Sequence, residues 1–238
     1  MCPSYMVTRE EKHTTRGRAH ILWEMLNGEE LELWRDHEVF EALDLCLSCK
    51  GCTSECPVNV DMPTLKAEFL SHYYQGRLRP RTAYAFGLID QAARLASKMP
   101  GLVNFVTQTA PFDALAKAAI GVSQKRHIPP FASPTLKEWF ARRPHRDGGG
   151  RRVILWADTF TNYFHAPIGI AAVEALEDAG YHVVIPQEHL CCGRPLYDYG
   201  MLDLARRYAD KVVAHLREEI RAGVPVVGIG RASCRERV

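Results

Sequence analysis

The chain has 238 residues, 47% of them apolar and 24% charged, and its 30 basic and 28 acidic side chains leave a net charge of +2. Bases matched almost one for one by acids speak against a nucleic-acid partner, and the length allows one large domain or two modest ones. No run approaches the roughly eighteen consecutive apolar residues of a spanning helix, and the first twenty residues are too charged for a secretory signal, which leaves the cytoplasm, or the inner face of the cytoplasmic membrane, as the expected location.

Thr8-Arg9-Glu10-Glu11 has the form of a capping box and is expected to open a helix through His20, Trp23 and Leu26 to Asn27-Gly28. A short helix through Val39, Phe40, Leu43 and Leu45 leads into a run of four cysteines. Pro63 suits the first turn of a helix continuing through Leu65, Phe69 and Tyr73 to Gly76. Weaker amphipathic helices are expected at about 81–98 and 111–122. Arg142 to Arg152 contains no apolar residue and three consecutive glycines, so it reads as a linker. Beyond it, strands at 153–156, 182–185 and 224–229 alternate with helices at 168–179 and 201–221, a pattern that implies a parallel sheet with crossover helices.

The eight cysteines are Cys2, Cys46, Cys49, Cys52, Cys56, Cys191, Cys192 and Cys234. Clustered cysteines in a chain without a secretory signal are more often metal ligands than disulfides. Cys46-x2-Cys49-x2-Cys52-x3-Cys56-Pro57 is the bacterial ferredoxin run, whose closely spaced thiolates wrap one face of a [4Fe–4S] cluster. Structural zinc instead prefers two separated pairs that close a tetrahedron from different places. In this run the fourth cysteine ligates a different cluster, so Cys46, Cys49 and Cys52 need a further ligand. Cys2, in the only other Cys-Pro pair, is the natural donor. Cys56 then serves a second cluster whose own loop would lie upstream of Cys2, and the chain is expected to be an N-terminally truncated part of a longer polypeptide. The plainer alternative is a single-cluster protein in which Cys2 has no special role.

Cys191-Cys192-Gly193 follows the second strand of the parallel sheet, at the strand ends where such folds place their sites. The pair reads as redox-active or cluster-binding, with Arg194 available to stabilise thiolates or a quinone or thiol substrate; a buried structural pair is the alternative. His165 and His189 are candidates to join this site.

Met1 to Met6, Glu11 to Ala19 and Leu43 to Met62 resemble the ferredoxin portion of bacterial FAD-linked oxidase and iron–sulfur fusion proteins of the D-lactate and D-2-hydroxyglutarate dehydrogenase kind. Asp158 to Phe164 and Leu190 to Asp198 resemble the cysteine-rich CCG domain that ends them. Related modules occur in glycolate oxidase, anaerobic glycerol-3-phosphate dehydrogenase and heterodisulfide reductases. The resemblance implies an α+β protein: a helical ferredoxin-type domain over 1–141, a linker at 142–152 and an α/β CCG domain over 153–230. It implies that electrons from FAD, held by an upstream flavin-binding domain or subunit, pass through [4Fe–4S] clusters to a quinone or cytochrome acceptor. Carried over by position, Cys46, Cys49, Cys52 and Cys2 bind one cluster and Cys56 the other, so this chain alone oxidises no substrate. Two departures stand out. The cysteine that such CCG domains carry near the end of their first strand is replaced by Ala157-Asp158-Thr159. Residues 231–238 read as a non-native tail, which makes Cys234 a poor ligand. The competing readings are a heterodisulfide-reductase-like thiol/disulfide catalyst using Cys191 and Cys192, and a zinc-stabilised interaction module.

Overall fold

The computed structural model describes residues 2–28, 30–144 and 150–230. In chain order the helices are α1 (Pro3–Thr8), α2 (Thr15–Asn27), α3 (His37–Asp44), α4 (Gly51–Glu55), α5 (Met62–Tyr73), α6 (Arg81–Gly87), α7 (Ile89–Ala96), α8 (Pro100–Gln108), α9 (Phe112–Ile120) and α10 (Leu136–Arg142). Then come β1 (Arg152–Trp156), α11 (Thr159–Tyr163), α12 (Ala166–Asp178), β2 (His182–Val184), α13 (Arg194–Asp198), α14 (Leu202–Arg221) and β3 (Val226–Gly228). The result is α+β, a helical N-terminal part and an α/β part with a small parallel sheet.

The chain forms two compact units: the described residues up to Arg79 with Arg194–Leu204, and Pro80–Gly193 with the described residues from Ala205 onward. The sequence reading drew its boundary at 142–152, whereas the units part at Pro80. The reason lies in the packing of 80–144. Leu136 and Phe140 of α10 belong to the core beneath the sheet, and Ala93 of α7 packs with Tyr163 and Phe164. Residues 145–149, within the expected linker, lie outside the described residues, as does Cys234.

In the first unit, Val39, Ala42 and Leu43 fall on one face of α3 and are fully buried, the spacing that an amphipathic helix requires. They meet Met25 of α2 and Phe69 of α5. Each large side chain so buried stabilises by about 1.5–3 kcal/mol. Asp36 starts α3 by accepting from the Glu38 and Val39 amides at 2.7 and 3.0 Å. The expected capping box at Thr8 is not formed. Thr8 ends α1, a 3-10 turn follows at Glu11–His13, and Thr14 caps α2 by accepting from Gly17 N at 2.8 Å.

In the second unit the strand order is β2-β1-β3, with both pairs parallel. Central β1 is buried on both faces, as its unbroken Val-Ile-Leu run foretells. Val153 and Leu155 face α10 and α12, while Ile154 packs with Leu216 of α14. Because β1 pairs with one partner on each side, the strand order reverses at its carboxyl end, the place where open α/β sheets hold ligands. The helix expected at 81–98 is split into α6 and α7 at Leu88.

Candidate functional site

The cysteine run enters from α3. Lys66 Nζ donates to the carbonyls of Asp44 and Cys46 at 3.0 and 2.8 Å, pinning the loop where the helix ends. Burial pulls the Lys66 ammonium below its ordinary value. Ser48 and Lys50, on either side of Cys49, take positive φ of 50° and 57°. Left-handed residues alternating with others turn backbone amides to one side and form the concavities that hold anions, iron–sulfur clusters included. The chain then winds through α4, which carries Cys52 and ends at Cys56. Cys46 and Cys52 pack against the core while Cys49 is exposed. Burial and the neighbouring Cys46 raise the Cys52 thiol, partly offset by a hydrogen bond from the Met62 amide. Arg194, placed by the sequence reading beside Cys191 and Cys192, gives its guanidinium to the Ser48 carbonyl and to Asp198.

Cys2 precedes α1 and is held by an arginine. Arg18 is 1% exposed. Its Nη1 donates to Cys2 Sγ at 3.1 Å, its Nη2 to Ser4 Oγ at 2.8 Å and its Nε to the Ala42 carbonyl at 2.7 Å. One side chain thus ties Cys2 to α3, the helix that feeds the cysteine loop. Gly17 makes this possible, since a Cβ there would lie 2.1 Å from the Glu11 carbonyl oxygen. Burial raises the Cys2 thiol, but the hydrogen bonds from Ser4 and Arg18 and the guanidinium charge together hold it below its ordinary value. A buried cation needs an anionic neighbour, and a thiolate at Cys2 is the ligating form.

These residues fit a [4Fe–4S] cluster. A cubane spreads its thiolates around a core of several atoms, wider than a lone zinc. The amide-lined loop, a hydrogen bond to the Cys52 sulfur and an arginine on Cys2 are the surroundings such sulfurs take.

The second cysteine group lies in the α/β unit. Cys191 is buried and Cys192 exposed. Gly193 has φ +71°, and a Cβ on it would come within 3.1 Å of Tyr208 Cβ, so any other residue here would be strained. A hydrogen bond with Cys192 and burial push the Cys191 thiol up. Thr159, bonded to Cys191, donates at 2.9 Å to Asp90. Asp90 is 3% exposed and also accepts from His189 Nε2 and, at 3.2 Å, from Tyr208 Oη. Tyr163 Oη stands 3.3 Å from His189 Nδ1. His189 therefore joins a buried network at the carboxyl ends of β1 and β2. His165 instead precedes α12 and is exposed. Asp90, Thr159, Tyr163 and Tyr208 were missed by the sequence reading; a lone acid in the Ala-rich stretch 89–96 was the signal available.

Burial raises the Asp90 carboxyl, but the His189 bond and charge and the Thr159 and Tyr208 bonds outweigh it and leave it below its ordinary value of 3.8. A carboxylate so depressed contributes stability above pH 3.8 that is lost as pH falls through the lower folded value. Asp90→Asn is therefore expected to lower the urea midpoint at pH 7, at a cost of about 1–3 kcal/mol, and to flatten the decline in stability on acidification. Parallel acid limbs in the two proteins would show that Asp90 is not the titrating group.

Residues 1–60 match the family described as 4Fe-4S dicluster domain, and residues 159–235 match the family described as Cysteine-rich domain, CCG. The chain is 27% identical over 281 residues to the D-2-hydroxyglutarate dehydrogenase of Pantoea ananatis, covering 98% of this chain and 27% of that protein. It is 25% identical over 231 residues to the glycolate oxidase iron-sulfur subunit of Escherichia coli, covering 96% of this chain and 51% of that protein. The probable glycolate oxidase iron-sulfur subunit of Bacillus subtilis is 24% identical over 208 residues, 81% of this chain and 46% of that protein. The chain spans about a quarter of the length of the D-2-hydroxyglutarate dehydrogenases it matches. No solved structure matches it.

Proposed function

We propose that this chain, whose two domains are those of the iron–sulfur part of FAD-linked oxidases, relays electrons from a flavin that oxidises a 2-hydroxy acid to a quinone or cytochrome acceptor. The flavin is held by a separate domain or subunit, and the protein works in the cytoplasm, peripheral to the inner face of the cytoplasmic membrane. The observation that carries the reading is the Cys2 thiol, bonded to buried Arg18 and tied through it to the helix feeding the cysteine loop. A bound [4Fe–4S] cluster supplies one-electron transfer. Cys46, Cys49, Cys52 and Cys2 hold it, Lys66 and the Met62 amide fix the loop, and Cys56 serves a second cluster. The kinship with D-2-hydroxyglutarate dehydrogenases supports the substrate class, and the resemblance to iron–sulfur subunits supports a flavin-bearing partner.

A second reading rests on one observation: Cys191 and Cys192 are hydrogen-bonded neighbours, one buried and one exposed, above the Asp90–His189 network. In it the pair cycles between dithiol and disulfide, giving up two electrons and two protons to a disulfide substrate. One experiment separates the two. After anaerobic reconstitution the chain is expected to hold about four iron per complete cluster and to lose its visible absorbance with dithionite. Replacing Cys191 and Cys192 together by Ser leaves both properties intact under either reading, and abolishes disulfide reduction only under the second. A colourless protein holding zinc alone would defeat the electron-relay reading.

A further inference from the structure

Helix α8 is turned inside out. Its polar Asn104 faces inward, with Nδ2 donating to the Phe131 carbonyl at 2.9 Å and Oδ1 accepting from the Phe131 amide at 2.7 Å. This clamp leaves Leu102, Phe105 and Val106, at the i, i+3, i+4 spacing of one helical face, exposed to solvent, and α8 has no buried residue among its nine. The neighbouring α9 does likewise with Phe112 and Leu115, and the Phe105 and Phe112 rings lie 5.7 Å apart. Leu95 and Met99, just before α8 in the chain, are exposed as well, and all these large side chains are 38–71% exposed. Isolated exposed apolar residues are ordinary, but a contiguous group marks a surface that something covers.

The charges around it point to the occupant. From residue 91 to 134 the sequence holds Arg94, Lys98, Lys117, Lys125 and Arg126 against a single acid, Asp113. That acid is taken by Lys117 at 2.8 Å. Arg94, Lys98, Lys125 and Arg126 are exposed and form no ion pair among the described residues. Gln124 donates to the Ala114 carbonyl at 3.1 Å, which brings the Lys125-Arg126 segment alongside α9. An apolar helical face rimmed by unpaired bases, on helices too short to span a membrane, is the pattern of a helix lying in a lipid interface.

We propose that the α8–α9 hairpin docks on an anionic lipid surface, inserting Leu102, Phe105, Phe112 and Leu115 among the acyl chains while the surrounding bases meet the headgroups. This deepens the peripheral placement proposed above by naming the surface, and it leaves the cysteine loop untouched. The test is co-sedimentation of the reconstituted chain with phosphatidylcholine vesicles, with and without phosphatidylglycerol, over a range of salt. Binding is expected to the phosphatidylglycerol vesicles alone and to weaken as salt rises. Each base near such a surface is worth about fivefold in affinity, so Lys98→Glu with Arg126→Glu is expected to lower binding at least tenfold. Phe105→Ser with Leu115→Ser does the same without altering charge. Equal binding to neutral vesicles, no binding, or binding indifferent to both variants overturns the proposal. So does a concentration-dependent dimer that the Phe105→Ser variant dissociates, which would assign the face to a second copy. Dithionite bleaching on the same samples reports the electron-relay reading separately, so either can fail alone.

Discussion

Cys52→Ser is expected to leave the reconstituted chain nearly free of iron, whereas Cys56→Ser keeps about the four irons of one cluster. The contrast follows from the division of labour proposed for the run. Cys46 and Cys49 flank Ser48, Lys50 follows Cys49, and both Ser48 and Lys50 are left-handed; Cys52 follows in α4, while Cys56 stands beyond the end of α4 in extended backbone. Cys2→Ser is expected to behave like Cys52→Ser, although it lies 50 positions away, because Arg18 ties it to the helix that feeds the loop. Iron and sulfide counted per chain, with the spectrum before and after dithionite, check the series. Loss of iron in Cys56→Ser with retention in Cys2→Ser would mean that the run closes on a single cluster by itself, and the two-cluster assignment would fall.

Arg18→Met is expected to destabilise the first unit by about 2–4 kcal/mol. The methionine fills much of the volume but takes the Arg18 donor from the Ala42 carbonyl and one of several hydrogen bonds from the Ser4 hydroxyl and the Cys2 sulfur, and a buried group left unsatisfied costs about 1–3 kcal/mol. Relaxation of the short α1 keeps the sum below the upper limit. Arg18→Lys retains the charge but not the planar fork that reaches three acceptors at once, so it is expected to recover part of the stability and little of the cluster. Urea unfolding followed by circular dichroism, read beside iron content, decides the matter. An unchanged midpoint with full iron in Arg18→Met would show that the guanidinium holds neither the fold nor the ligand.

What could be read in advance followed from local pattern. The Val-Ile-Leu run of β1 and the alternation of strand and helix after it specify a parallel sheet, because burial on both faces leaves no polar side to alternate with. The cysteine spacing pointed to iron–sulfur chemistry, in line with the match of residues 1–60 to a 4Fe-4S dicluster domain, because closely spaced thiolates are a local loop pattern. The buried network around Asp90 was not legible, since its partners Thr159, His189 and Tyr208 lie 69, 99 and 118 residues away and a lone acid in an Ala-rich stretch does not by itself name them. Helix α8 falls between the helices expected at about 81–98 and 111–122, and its start has Pro100 in the first turn, where proline is compatible with a helix. The capping box of α10, Thr135 with Glu138, is a local pattern present in the sequence that the expected elements did not include. Arg18 was noted only as part of a resemblance; its burial depends on α2 approaching α1 and α3, which no periodicity announces.

That approach has a consequence for inherited variation. Gly17 has no room for even a methyl group against the Glu11 carbonyl, so any substitution there pushes α2 outward and carries Arg18, the next residue, with it. A change at a residue with no side chain and no chemistry would then present as an iron–sulfur defect, with every ligand in place. Gly17→Ala is therefore expected to lower iron content as Cys2→Ser does, although it removes no ligand.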